Sequence, residues 1–216
     1  MSDFIFPLMK QPAVPVTGDG LFPVRRIFCV GKNYADHQAE MGDAKGTPPV
    51  FFTKPADAVC PGGDIPFPLA TENLHYEAEL VVALGEDRSV YGYAVGCDLT
   101  RRDLQAVAKK AGAPWDTAKA FDNSAVIGSV TPVAACGNLN EAAIRLSVNG
   151  EARQDGSLSQ MIWSVAEIID KLSGYFDLKP GDLIYTGTPA GVGPIGVGDE
   201  VSISIDGLEP VTLRMV

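Results

Sequence analysis

No C-x-x-C pair occurs in this sequence. Cys29, Cys60, Cys97 and Cys136 stand more than thirty residues apart, which excludes a zinc finger or a dithiol redox motif and reads as small buried thiols in a reducing cytoplasm. Positive charge is in deficit: 17 basic against 27 acidic residues, a formal charge of −10. Such a chain carries no electrostatic footprint for nucleic acid and no attraction to anionic lipid. An anionic substrate would need a local cationic pocket against the overall field. Long apolar runs are lacking as well. The opening stretch MSDFIFPLMKQPAVPV is broken by Pro7, Pro12 and Pro15 and is expected to be neither signal peptide nor membrane span.

What the chain does have is a hydrophobic share of 46% with 23 glycines and 16 prolines, enough for a sizeable core built from many turns and short strands. Strands are expected within 25–31, 49–55, 74–84, 91–98 and 180–189, and two more in 199–216. A hairpin over 144–154 turns at Asn149-Gly150. A short helix is expected over 34–41, with Asn33 as a candidate cap and Gly42 at its end. A second covers 100–112, with Thr100 and Asp103 as a capping box and Gly112 as C-cap. The third, over 158–174, has Met161, Val165, Ile168, Ile169 and Leu172 at helical spacing. Strands outnumber helices, so the pattern predicts an α+β, β-rich mixed roll rather than a doubly wound sheet. Residues 1–24 read as an irregular segment lying over a single domain, 25–216.

The stretch LHYEAELVVAL (74–84) poses a charge problem. Alternation puts Glu77, Glu79, Val81 and Ala83 on one face and Tyr76, Ala78, Leu80, Val82 and Leu84 on the other. Two dry carboxylates side by side must take up a proton or hold a cation between them. Alternatively the strand is a sheet edge and both acids face water. Asp98, ending the apolar run GYAVGCD, is either a third metal ligand or a dipole partner for helix 100–112. Three carboxylates suit Mg²⁺ or Mn²⁺ better than zinc.

Other groups keep two readings each. His37 and Glu40, three apart, form a water-activating base with its orienter or a solvated surface pair. His75 is a ligand, an outer donor or a satisfied core histidine. Lys119 and Arg102 bind an anion or keep charged heads in water above buried stems. Thr186 and Thr188, in the loop TGTPAG, face a pocket or merely shape a turn. GVGPIG (191–196) matches a dinucleotide fingerprint in letters only: Pro194 interrupts it, no helix follows, and too little chain remains for the βαβ unit.

HYEAEL, GCDLTRRDLQ, AKAFD and GDLIYTGTPAGVG, in this order, resemble the fumarylacetoacetate hydrolase family over nearly all of 25–216. CVGKNYADHQAEMG and PWDTAKAFD resemble its acylpyruvase branch, and FPVRRIFCVGKNYADH and FFTKPADAV are similar to bacterial fumarylpyruvate hydrolases of gentisate breakdown. The resemblance implies a mixed β-roll, a cytoplasmic homodimer and a bound Mg²⁺ or Mn²⁺. It places the metal acids on Glu77, Glu79 and Asp98, catalytic groups on His37, Glu40 and Lys119, and substrate contacts on Arg102, Gln105 and Thr188. The implied reaction is hydrolysis of an acylpyruvate carbon–carbon bond, fumarylpyruvate giving fumarate and pyruvate. Oxaloacetate decarboxylation through the same enolate is the alternative, and a non-catalytic metal-binding protein a third. Two departures from the family pattern stand out: His75-Tyr76 where two histidines are usual, and a short segment between the glutamate strand and GYAVG.

Overall fold

The computed structural model describes residues 4–36 and 49–216. The charge-bearing stretch sits in the middle of the largest sheet. That sheet runs, edge to edge, Val50–Lys54, Arg26–Gly31, Asp182–Tyr185, Ala78–Leu84, Val90–Asp98, Ala125–Ile127 and Val59–Cys60, with Thr131–Pro132 also pairing onto Val90–Asp98. Two of its pairings are parallel, Asp182–Tyr185 with Arg26–Gly31 and Ala125–Ile127 with Val59–Cys60; the rest are antiparallel. A five-stranded sheet, Glu151–Ser157, Ala143–Val148, Glu200–Ile205, Val211–Met215 and Gly63–Ile65, packs against it. Among the described residues only four short α-helices occur. This is the mixed, β-rich roll that the turn-rich composition predicts.

Strand Ala78–Leu84 is buried at every residue, so the sheet-edge reading of its glutamates is excluded. Its faces alternate as expected. Tyr76, Ala78 and Leu80 enter the core shared with the five-stranded sheet, while Val82 and Leu84 meet Ile168 and Leu172 of helix Val165–Ser173. Val81 and Ala83 pack on the opposite side with Val14, Phe22 and Val24. The expected strand is interrupted at one residue, however. Leu74–Tyr76 leaves the large sheet to pair with Thr100–Arg101 and Gly193–Ile195, and Glu77 forms the joint.

Three local expectations need correction. Residues 1–24 are not wholly irregular: Ala13–Pro15 and Leu21–Pro23 form a hairpin. Val14 and Phe22 bury there, and Gly18 and Gly20 supply the positive φ of its turn. Prolines are tolerated because a two-stranded ribbon has free edges needing no amide. The helix over 158–174 is two pieces, a 3₁₀ turn Leu158–Gln160 and helix Val165–Ser173. Between them the chain pairs with the segment around Asn33, where Ile162 N–H donates to the Asn33 carbonyl at 2.7 Å. Finally, Thr100 is not a cap: the helix spans Arg102–Ala111, and Asp103 instead accepts from Thr71 Oγ1 at 2.7 Å and Glu72 N–H at 3.0 Å. Gly112 does close it in the left-handed region. The expected helix over 34–41 lies largely outside the described residues.

Candidate metal centre and active site

Sheet register brings the acids together. Ala78 lies opposite Cys97, Glu79 opposite Gly96 and Asp98 opposite Ala125. A side chain at position 96 would come within 2.5 Å of Val81 and 2.9 Å of Tyr185, so only glycine fits there. The joint at Glu77 is tied back by Asp98 N–H donating to its carbonyl at 2.9 Å. Glu77, Glu79 and Asp98, all buried, each offer an oxygen within 4.8 Å of the others.

Cations surround them. The Lys119 ammonium donates to Glu77 Oε2 at 2.7 Å, Asp98 Oδ2 at 2.7 Å and Thr100 Oγ1 at 2.6 Å, which uses all three of its hydrogens. Burial works against that charge, yet Asp98 and then Glu77 outweigh it and hold the ammonium well above the ordinary lysine range. Arg102 reaches Glu77 Oε1 at 2.5 Å, Gln105 Oε1 at 2.6 Å and His75 Nδ1 at 3.3 Å. Lys54, fully buried, stands 2.8 Å from Asp98 Oδ1 and donates to the Lys119 carbonyl.

Glu79 is the exception: among the described residues no ion pair reaches it. Burial first, then the charges of Asp98 and Glu77, push its carboxyl well up; Lys119 and the Gly187 N–H, 2.7 Å from Oε2, pull the other way. Gly187 can present that N–H because it adopts φ +99°, and a Cβ there would sit 2.8 Å from the Asn33 side chain. The donor set fits a divalent cation. It is all oxygen, it is dry, and Asp98 Oδ1 has no hydrogen bond among the described residues, only the Lys54 charge.

Several sequence candidates converge here. Arg102, Gln105, Lys119 and Thr188 line the same cavity as the three acids. Lys119 is a buried site residue rather than a surface lysine. Thr188 Oγ1 accepts from Gln154 Nε2 at 2.8 Å. His75 is satisfied, its Nε2 2.9 Å from Asn73 Oδ1, and it is no member of the acid cluster. Thr186 turns away from the cavity to donate to the Leu80 carbonyl. His37 and Glu40 lie outside the described residues. The short segment after the glutamate strand closes a tight turn, Gly85 N–H to Ser89 O at 2.8 Å, at the far end of the strand from the acids.

Four contributors escaped the sequence reading. Lys54 ends a strand beside Pro55 and so looks like an exposed terminus. Its signal was alternation: Lys54 shares a face with Phe52, which lines the cavity. Gln154 ties Ala78 N–H to Thr188 and the Pro189 carbonyl. Asn33 clamps Thr186 O, Trp163 O and Trp163 N–H; the helix it is expected to cap lies largely outside the described residues. Thr100 serves Lys119.

A mixed β-roll whose central strands deliver three buried carboxylates to a cation-lined cavity defines a divalent-metal site of the carboxylate type. The chain belongs to the fumarylacetoacetate (FAA) hydrolase family, whose C-terminal domain it matches over residues 26–216. It is 43% identical over 201 residues to oxaloacetate tautomerase YcgM of Escherichia coli (strain K12), covering 86% of this chain and 90% of that protein. It is also 43% identical over 176 residues to a fumarylpyruvate hydrolase of Ralstonia sp, covering 76% and 91%. Among solved structures, fumarylpyruvate hydrolase from Pseudomonas aeruginosa in complex with Mn²⁺ and pyruvate superposes with a TM-score of 0.95 at 46% identity, over 99% of both chains.

Proposed function

We propose that this protein is a metal-dependent acylpyruvate hydrolase that cleaves fumarylpyruvate to fumarate and pyruvate. The observation carrying this reading is the charge balance of the buried site. Three carboxylates are matched by Lys54, Lys119 and Arg102, so a bound divalent cation leaves the site with an excess of positive charge that suits an anionic substrate. The likeness to the Pseudomonas aeruginosa enzyme, solved with Mn²⁺ and pyruvate, supports both the substrate and a divalent ion, and the all-oxygen donor set suits Mg²⁺ or Mn²⁺. Glu77, Glu79 and Asp98 would hold that ion, which supplies Lewis-acid polarisation when bound.

His37, its tautomer fixed by Glu40, takes a proton from water. The hydroxide adds to the acyl carbonyl carbon. The bond from that carbon to the methylene breaks, and its electron pair leaves as pyruvate enolate, which regains a proton. Lys119 and Arg102 supply positive charge to the carboxylate and the developing enolate. Gln105 and Thr188 offer an amide and a hydroxyl for orientation. A cytoplasmic homodimer belongs to the same reading.

Purified protein should turn over fumarylpyruvate with Mg²⁺ or Mn²⁺, stop on chelation and resume when metal is returned. His37→Ala should keep metal binding and lose about 10²–10⁴ in rate. Absence of turnover in the metal-loaded wild type overturns the hydrolase; full turnover in the variant removes the dyad from it.

The 43% identity to the Escherichia coli tautomerase favours a second reading on oxaloacetate. Tautomerisation moves a proton to or from the methylene carbon and needs no attacking water, and decarboxylation of the same compound passes through pyruvate enolate. Decay of the oxaloacetate enol absorbance without cleavage of any acylpyruvate would establish it.

A further inference from the structure

Strand Glu151–Ser157 is bulged at one point. Leu146 lies opposite Gln154 and Ser147 opposite Ala152, so Arg153 is the extra residue. A bulge re-aims the side chain beside it. Here Arg153 and Asp155 stay exposed while Gln154, between them, is 1% exposed. The loop that follows Asp182–Tyr185 is fitted closely against this spot. A side chain at Gly191 would come within 2.2 Å of the Arg153 carbonyl, and one at Gly156 within 3.0 Å of Pro189.

The partners of Gln154 fix which end of its amide is which. Oε1 accepts from Ala78 N–H at 3.0 Å, and a backbone N–H can only donate. Nε2 donates to the Pro189 carbonyl at 2.8 Å, and a carbonyl can only accept. The other hydrogen of Nε2 therefore goes to Thr188 Oγ1, also at 2.8 Å. Toward Gln154 the Thr188 oxygen is thus an acceptor, and among the described residues its own hydrogen meets no acceptor. Two neighbouring threonines differ: Thr100 donates to the Asp98 carbonyl at 3.2 Å and Thr186 to the Leu80 carbonyl at 2.9 Å. Thr188 lines the acid cavity. That cavity holds about 30 Å³, room for an ion and one or two waters, so a group on its wall directly meets any ligand of the ion.

We infer that Gln154 is a positioning residue: it holds the Thr188 hydroxyl with its hydrogen free for the acid cavity, as a donor to a carboxylate or ketone oxygen of the substrate. The inference rests on the acylpyruvate reading for its ligand. It adds to the binding machinery a residue of the five-stranded sheet that stands outside the acid cluster.

The test uses Gln154→Glu, which keeps the shape and the acceptor for Ala78 N–H but, when ionised, has no hydrogen to give. Thr188 then turns its own hydrogen to the new carboxylate and withdraws it from the cavity. Pyruvate binding to the Mn²⁺-loaded protein, read by calorimetry, should weaken roughly 10- to 100-fold. Thr188→Val should lose a similar factor, and Thr188→Ser, which keeps the hydroxyl, little. In the Thr188→Val background Gln154→Glu should cost little more, because the group it acts through is gone. Equal losses with and without the Thr188 hydroxyl would assign the effect to the added charge or to the fold and overturn the inference. Unchanged binding in Gln154→Glu, or no pyruvate binding by the wild type, overturns it as well. If the glutamate variant does not fold, Gln154→Met carries the same comparison. Binding is read without turnover, so a wild type that binds pyruvate but cleaves no fumarylpyruvate overturns the hydrolase reading alone.

Discussion

Lys54 is an ammonium with no exposed surface, tied to one carboxylate and one carbonyl. Removing one partner of a buried ion pair leaves the other charge dry and uncompensated. Lys54→Met should therefore cost about 3–5 kcal/mol in urea unfolding of the metal-free protein, and added Mg²⁺ or Mn²⁺ should recover part of that by returning positive charge to Asp98. A loss below 1 kcal/mol would show that the Lys54–Asp98 contact contributes little to the fold. The same scale explains what could be read from letters alone. Glu77 and Glu79 are conspicuous because a charge inside an apolar run is costly wherever the run folds. Lys54, Gln154 and Thr100 are inconspicuous because each is ordinary in its own neighbourhood and acquires its role from a partner more than twelve positions away.

Among the elements, those governed by adjacent residues came out as expected. Asn149 and Gly150 take positive φ and join strands Ala143–Val148 and Glu151–Ser157, and Gly112 ends its helix. Elements whose ends depend on distant partners did not. The apolar spacing over 158–174 is real, but residues 161–163 are claimed by Asn33 and Tyr34 and the helix restarts at Ser164. There Ser164 and Glu167 form a full capping box that the spacing alone did not locate. Ser164→Ala should cost about 1 kcal/mol in chemical unfolding and leave metal affinity unchanged, since helix Val165–Ser173 packs behind the sheet against Val82 and Leu84. A fall in metal affinity would show that the helix start transmits strain to the acids through Trp163 and Asn33.

At the scale of the molecule, a chain of net charge −10 gathers Lys32, Arg102, Lys109 and Lys119 around one cavity, meeting the requirement that anion binding places on it. One of the three acids is the backbone joint itself and the other two lie on the paired strands Ala78–Leu84 and Val90–Asp98, so the site and the roll's core form together. Metal binding should accordingly stabilise the whole fold: at one hundred times Kd the gain is about 2.7 kcal/mol, or roughly 5–10 °C in Tm for a chain of this size. Glu79→Gln should abolish that gain. It should also leave the metal-free Tm equal or higher, because burial penalises the Glu79 charge and a glutamine oxygen can still accept from Gly187. A metal-dependent Tm shift persisting in this variant would remove Glu79 from the ligand set.

The linear chain determined its own class: strand-rich, acidic, poor in cysteine and histidine, with carboxylates where the apolar pattern forbids them. Hydrophobic periodicity and the cost of a dry charge are local properties, and they are written in neighbouring residues. Which cations neutralise those acids, where the strand breaks at Glu77, and which buried amide holds Thr188 were decided only in three dimensions. Each depends on sheet register and on contacts between segments far apart in sequence, and no periodicity records which distant side chain will share a pocket.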